Sequence, residues 1–318
     1  MGQYRLAIDM GGTDIKTGVV DDQYRIVRRH VIPTGPERPF EVVVKDMADA
    51  ARDVAAMEGL TFKDFPCVGV GVPSCINPHT GLLVFANNTN WKNAPLREEL
   101  KKHIPVPVYI GNDANCAVVG EAIAGAARGK KDVLMITLGT GLGGGLILGG
   151  KLFLGADGMG MEPGHTVLVH NGLTCTCGLN GCLESYGSVV ALIQQAQAAM
   201  EQHPESCLHA DKAKNGGKLN GKVIFDCAIA GDETAQKVID TFLEYVANGI
   251  GSLVNLFRPE IILIGGGICD AGDYLMVPLN EKLPKYVFAS DLIGCPPAIR
   301  ATLGNAAGTI GAACLDCM

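Results

Sequence analysis

The sequence predicts an α/β protein built from two duplicated sheet domains that face each other across a cleft. Three observations carry this expectation. Apolar runs of strand length alternate with segments of helical periodicity. A strand, a polar glycine turn and a second strand occur at residues 5–20, and the same shape recurs about 130 residues later. The chain has 318 residues, more than one small core organises. Literal identity between the two hairpins is slight, Gly11 against Gly139, so the repeat is one of shape.

In order along the chain, Leu6-Ala7-Ile8 rises into Asp9-Met10-Gly11-Gly12-Thr13, and Thr17-Gly18-Val19-Val20 returns. A third strand over residues 25–31 completes a meander. Residues 40–58 carry Val43, Met47, Ala50, Val54 and Met57 at helical spacing and meet Gly59, a suitable C-cap. Residues 67–72 read as a buried strand ending at Pro73. Residues 106–110 read as another, running into Gly111-Asn112-Asp113 ahead of a helix over 114–124. The pattern restarts at Val133-Leu134-Met135-Ile136, turns through Thr137-Leu138-Gly139-Thr140-Gly141 and returns along residues 145–148. A long helix over 234–257 precedes the strand Ile261-Ile262-Leu263-Ile264, which ends at Gly265-Gly266-Gly267. A last helix over 305–314, rich in alanine and glycine, suits close packing. Residues 203–222 are polar and glycine-rich and read as an exposed loop.

Composition excludes several classes. A formal net charge of −7 argues against a nucleic-acid binder, which needs a basic face for phosphates. Twelve cysteines in so large a chain, opening on Met1-Gly2-Gln3-Tyr4-Arg5 without a signal-peptide core, point to reduced thiols in a cytoplasm and not to a secreted disulfide scaffold. Met1-Gly2 begins like a myristoylation signal, but Leu6 stands where serine or threonine is required. Eighteen uncharged residues separate Asp132 from Lys151, which is membrane-span length. Seven of them are glycine, so two buried strands joined by a glycine loop are expected, with no membrane partner.

The chemistry is concentrated in one stretch. Glu162-Pro163-Gly164-His165 is followed, nine residues on, by Cys175-Thr176-Cys177-Gly178-Leu179-Asn180-Gly181-Cys182-Leu183-Glu184. One imidazole and three thiols, His165, Cys175, Cys177 and Cys182, make a complete ligand set for tetrahedral structural Zn²⁺. Gly178 and Gly181 supply the backbone freedom a tight knuckle needs. The alternative is three unrelated buried thiols, which cores do not usually crowd into eight residues. Four protein ligands leave no open position, so the metal is expected to be an architect.

Three glycine turns stand at strand ends: Asp9 with Gly11, Gly12 and Thr13; Gly139, Thr140 and Gly141; and Gly265, Gly266 and Gly267. Their backbone N–H groups suit nucleotide phosphates, although none matches a P-loop or a dinucleotide fingerprint. Asp9 adds a carboxylate where Mg²⁺ is needed, or is simply a turn former. Asp113 reads equally well as a helix N-cap and as a general base at the carboxyl end of a strand, with the Asn112 amide beside it for a hydroxyl-bearing substrate.

These motifs, in this order and spacing, resemble the ROK family of bacterial sugar kinases and related repressors. The resemblance extends from Leu6 to the Ala306-Ala307-Gly308-Thr309-Ile310-Gly311-Ala312-Ala313 tail. It implies an actin-like, ribonuclease-H-like ATPase fold of two α/β domains closing on ATP and a sugar. The expected partition is a small domain of residues 1–112 plus 303–318 and a large one of 113–302. The resemblance makes Asp113 the catalytic base, and Asn112, Glu162, His165 and Glu184 the ligands of the sugar hydroxyls. It also makes the three glycine turns the ATP site with Mg²⁺, and implies a homodimer or homotetramer. His165 would hold zinc through one ring nitrogen and offer the other to the sugar. Asn87 and Trp91 fall where the family lines its sugar cleft, although Trp91 also reads as a core anchor. Three residues depart from the family pattern: Ser74 and Met161 stand where glycine is usual, and Pro163 replaces an apolar residue and pushes Glu162 towards extended geometry.

Glucose is the leading hexose, with N-acetylmannosamine, N-acetylglucosamine, mannose, fructose and allose as alternatives. A sugar-responsive repressor needs a helix-turn-helix domain of roughly 60 to 80 residues ahead of the kinase-like body, and none fits before Asp9. A non-catalytic sugar-binding protein is disfavoured by the presence of Asp9, Asp113 and all three turns.

Overall fold

The structure, a computed structural model, describes residues 4–86, 89 and 91–317. Contacts divide the chain into two compact units. One comprises Met1–Val133, Gly145–Met161 and Ala301–Met318; the other comprises Leu134–Gly144 and Glu162–Arg300. Residues 113–133 and 145–161 thus associate with the first unit.

In the first unit, β1 (Arg5–Met10), β2 (Asp14–Val20) and β3 (Ile26–Pro33) form an antiparallel meander. β4 (Val68–Val72) runs parallel to β1. A small antiparallel sheet of β5 (Cys75–Asn77), β6 (Leu82–Phe85) and β7 (Lys92–Ala94) follows. β8 (Val108–Asn112) then joins parallel to β4, completing the order β3-β2-β1-β4-β8. All five residues of β4 are buried, which is why it reads Val-Gly-Val-Gly-Val with no polar alternation. Helix α1 (Phe40–Ala56) buries Val43, Val44, Met47, Ala48, Ala51 and Val54, and each large aliphatic side chain so buried contributes about 1.5–3 kcal/mol. α2 (Leu96–Lys101) and α3 (Asp113–Ala124) complete this part.

The C-terminal helix, Ala307–Ala313, packs on α3, β1 and β4. Small residues on both sides of the contact are obligatory: a Cβ at Gly311 of the helix would stand 1.6 Å from the Cys116 carbonyl oxygen, and one at Gly69 of β4 would stand 1.7 Å from that of Ala312. Glu121 on α3 is fully buried, yet its carboxylate is satisfied. It accepts from the backbone of Ala126 (2.8 Å) and Leu303 (2.7 Å) and from the Thr302 hydroxyl (3.3 Å). That carboxylate ties the segment entering the last helix to α3.

The second sheet has β9 (Val133–Leu138), β10 (Leu142–Leu148), β11 (Lys151–Leu152), β12 (Ile261–Gly265) and β13 (Ala298–Arg300), in the order β11-β10-β9-β12-β13. This matches the order of the first sheet, so the duplication inferred from two glycine hairpins is a duplication of topology. The uncharged stretch between Asp132 and Lys151 is β9 and β10, as expected. Among the described residues, no helix is long and apolar enough to cross a membrane.

The second unit adds α4 (Glu184–Gly187), α5 (Val189–Gln202), α6 (Leu208–Lys214), α7 (Gly221–Ile229), α8 (Glu233–Phe257), α9 (Asp273–Lys282) and α10 (Ser290–Ile293). Side chains of Ser188, Asn220 and Asp232 cap α5, α7 and α8 by accepting from Ala191, Val223 and Ala235 N–H groups. α8 buries Val238, Phe242, Val246, Ile250 and Leu253 along one stripe. The segment 203–222 corrects the sequence expectation of a loop: it contains α6 and the start of α7. Leu208 and Leu219 are the only buried apolar residues there, too few positions to show a helical period.

Candidate active site and metal centre

In the first unit, the parallel strands β1, β4 and β8 bring their carboxyl ends together, where α/β sheets hold ligands. Asp9 lies in register with Gly71, and Gly71 with Gly111. Two strand spacings of about 4.8 Å therefore separate Asp9 from Gly111, two residues before Asp113. The buried thiol of Cys116 responds to both carboxylates: burial first, then the charges of Asp9 and Asp113, pushes it well above the ordinary range. Asp9 itself is raised by burial, against the opposing pull of Lys16 and of the Thr309 hydroxyl, which donates to Oδ2 at 3.4 Å. Gly308 leaves room for that carboxylate, since a Cβ there would come within 2.9 Å of Oδ2. The turn that follows is closed by Gly11 N–H to the Asp14 carbonyl at 2.7 Å, with Thr13 exposed at its tip beyond Gly12.

Asn112, and not Asp113, is the N-cap of α3. Its Oδ1 accepts from the N–H groups of Ala114 (2.8 Å) and Asn115 (3.3 Å), and its Nδ2 donates to the Ser74 carbonyl at 3.2 Å. Both ends of the Asn112 amide are thus engaged with backbone. Asp113 is the first helical residue, exposed, with Oδ1 accepting from Ala114 N–H at 2.9 Å. A carboxylate suits the positive end of a helix.

Trp91 is 7% exposed and meets Phe40 edge-on with ring centroids 5.0 Å apart, the position of a core anchor. It walls a cavity of about 10 Å³ with Met10, Val72, Pro73, Ser74 and Thr89. The hydroxyls of Ser74 and Thr89 are buried there without a partner among the described residues. Asn87 lies outside the described residues. A larger groove of about 560 Å³, beside β3 and α1 and lined by His30, Arg38, Asp46, Asp49 and Asp53, contains none of the candidate residues.

In the second unit, the β9–β10 turn is closed by Gly139 N–H to the Gly141 carbonyl at 3.0 Å, with Thr140 exposed. The structure adds a contact that the sequence does not reveal. Glu184, at the start of α4, accepts the Leu142 N–H at 2.8 Å, and a Cβ on Gly141 would sit 2.5 Å from the same carboxylate oxygen. The residue read as a sugar ligand therefore also braces the turn read as a phosphate loop. Its other oxygen lies 3.9 Å from Cys175 Sγ. β12 ends at Gly265, and Gly266, at φ 102°, stands so close to the Leu138 carbonyl that a Cβ there would be 2.0 Å from it. This brings the turn of Gly265, Gly266 and Gly267 to the same strand ends as the Gly139 turn.

The four predicted zinc ligands converge. One ligand atom each from His165, Cys175, Cys177 and Cys182 lies within 4.8 Å of the others. Cys175 Sγ is 3.8 Å from His165 Nδ1, and Cys177 Sγ is 3.7 Å from Cys182 Sγ. A tetrahedron with metal–sulfur bonds of about 2.3 Å has edges of roughly 3.8 Å, so the donor set fits zinc in both chemistry and spacing. The knuckle is folded by Cys175 N–H to Leu179 C=O (2.8 Å) and Gly178 N–H to Cys175 C=O (3.0 Å). Gly181 is held at φ 84°, and a Cβ there would be 1.8 Å from the Val169 carbonyl oxygen.

Glu162, just ahead of the short helix that carries His165, opens to solvent at its tip. Burial pushes its carboxyl above the ordinary range; His165 opposes this, and the Glu184 charge adds to it. Pro163 keeps Glu162 out of the α region, at φ −103° and ψ 71°, short of full extension. Met161 adopts φ 68°, a left-handed conformation that suits glycine. That conformation costs a side-chain-bearing residue about 1–2 kcal/mol, and glycine gives back about 0.5–1 kcal/mol in unfolded-chain entropy. Met161→Gly should therefore stabilise the protein by about 0.5–1 kcal/mol, read as a higher urea midpoint; a lower midpoint would refute the strain.

Two α/β units with sheets of one strand order and glycine turns at their carboxyl ends define an actin-like ATPase fold. The chain belongs to the ROK family, whose profile matches residues 5–316. It is similar to the glucokinase of Halalkalibacterium halodurans, 36% identical over 310 residues, covering 97% of this chain and 93% of that one. It is also 35% identical over 309 residues to the glucokinase of Thermotoga maritima, covering 97% and 95%. Among solved structures it resembles a ROK family glucokinase from Streptomyces griseus in complex with glucose and AMPPNP, with a TM-score of 0.84, 33% identity and 98% of each chain covered.

Proposed function

We propose that this protein is an ATP-dependent hexose kinase that phosphorylates the sugar 6-hydroxyl, with glucose as its preferred substrate. Membership of a family whose similar members are glucokinases supports the sugar-kinase class. The observation that carries the mechanism is the division of labour at the end of β8: Asn112 caps the helix, and Asp113 presents an exposed carboxylate. Asp113 accepts the 6-hydroxyl proton as that oxygen attacks the γ-phosphorus in line, and ADP leaves. Backbone N–H groups of Gly11, Gly12, Gly139, Gly141 and the Gly265–Gly267 turn hold phosphates, with Thr13 and Thr140 adding hydroxyls. Asp9 holds the Mg²⁺ that accompanies ATP.

Asn112, Glu162, His165 and Glu184 hold the ring hydroxyls. Asn112 takes part with an amide that also caps α3, and Glu184 with a carboxylate that also braces the β9–β10 turn. Zn²⁺ at His165, Cys175, Cys177 and Cys182 supplies structure: with Nδ1 turned to the thiols, the Nε2 edge of His165 serves the sugar. The enzyme works in the cytoplasm as a homodimer or homotetramer, with no nucleic-acid or membrane partner.

A coupled ADP-release screen over glucose, N-acetylglucosamine, N-acetylmannosamine, mannose, fructose and allose at fixed Mg-ATP tests the substrate. Glucose should give the highest kcat/KM. An N-acetylated sugar ahead by about tenfold or more would overturn the choice of glucose and leave the reaction class standing, because one hydroxyl contact decides between such sugars.

A further inference from the structure

A second cluster of metal-ligating side chains lies in α6 and α7, outside the Cys3His knuckle. Cys207 is the residue before α6, and Asp211 follows it by one turn, so both project from one face of the helix. Cys227 comes from α7. One ligand atom from each of the three lies within 4.8 Å of the other two, the same closeness that the four knuckle ligands show. Cys227 Sγ approaches Asp211 Oδ2 at 3.4 Å, while Asp211 Oδ1 holds Lys214 Nζ at 2.7 Å. Cys227 is buried, whereas Cys207 and Asp211 are partly exposed, which leaves the cluster reachable from solvent.

The arrangement is held from behind. Asp232, the cap of α8, accepts from the Cys207 N–H at 2.7 Å and the Ser206 hydroxyl at 3.0 Å, which fixes the start of α6 against α8. The start of α6, which carries Cys207, is therefore held by the same carboxylate that starts the longest described helix. From these positions we infer that Cys207, Asp211 and Cys227 form a second metal site, for a soft divalent cation of the zinc class. Two thiols and one carboxylate oxygen select such an ion over Mg²⁺ or Ca²⁺, which prefer oxygen alone. A carboxylate oxygen among the sulfurs is a donor that a metal uses and a disulfide does not. On binding, both thiols lose their protons to solvent, two thiolates and one carboxylate bond to the ion, and water completes the fourth position. The ion clamps α6, which buries only Leu208, to α7, which is anchored by Ile224 and Phe225.

This site is independent of the sugar-kinase reading and is tested without reference to activity. Reduced full-length protein is dialysed to equilibrium against micromolar Zn²⁺, and bound zinc is counted by mass spectrometry. The expected result is two zinc ions per chain in the unaltered protein and one in Cys207→Ser/Cys227→Ser, with Asp211→Asn keeping the second ion at an affinity lowered by about 10-fold or more. Cobalt substitution in the unaltered protein provides a measure that needs no variant. Thiolate-to-cobalt absorption should go on rising through the second equivalent. Equal zinc in the unaltered and doubly substituted proteins, or absorption that stops after one equivalent, would overturn the inference.

Discussion

Asp113→Asn is expected to lower turnover by about 10²–10⁴-fold, the usual worth of a general base. Stability should stay within about 0.5 kcal/mol, as for an exposed site. The geometry explains why so large an effect is expected without a folding defect. The helix is capped by Asn112 through Ala114 and Asn115, so its start does not rest on the Asp113 side chain. An asparagine amide oxygen can still accept the Ala114 N–H that Asp113 Oδ1 receives. The substitution removes the proton acceptor and its charge at the helix start. Turnover near that of the unaltered enzyme would take Asp113 out of the role, and a large drop in melting temperature would make it structural.

Cys182→Ser should have the second large effect. Cys182 is fully buried, and its sulfur faces both Cys177 and the His165 carbonyl. On the proposed zinc site, loss of one thiolate would remove a metal whose binding is itself folding free energy, so stability should fall by about 4 kcal/mol or more. Because His165 and Glu184 border the same knuckle, KM for the sugar should rise by about 10-fold or more while KM for ATP moves less. The check pairs zinc content with steady-state kinetics. Unchanged zinc content would show that the metal is elsewhere, and unchanged sugar affinity in zinc-depleted protein would separate the knuckle from the substrate.

What the sequence made legible is what short-range spacing encodes. The knuckle was readable because three thiols, two glycines and the nearby histidine fall in one short stretch. The two glycine hairpins were readable because a strand–turn–strand unit is local, whereas the shared order of the two sheets rests on parallel pairings between distant strands. Contacts between distant positions left no such trace. Nothing near Glu184 announces that it accepts the Leu142 N–H, 42 residues away. Asp113 read equally well from sequence as an N-cap and as a base, and the backbone turn at Asn112 gives the cap to its neighbour instead. Helix α6 escaped notice because a seven-residue segment with one buried leucine has no period to read. The strain at Met161 could be suspected only from the departure from glycine, and its φ gives that departure a physical meaning.

The central claim is tested most directly by following phosphorus when the protein is given glucose and Mg-ATP. Phosphorus magnetic resonance should show one phosphate ester at the 6-oxygen appearing in step with ADP, and no ADP without sugar. Absence of sugar-dependent ADP, or a phosphate ester at another oxygen, would contradict the account.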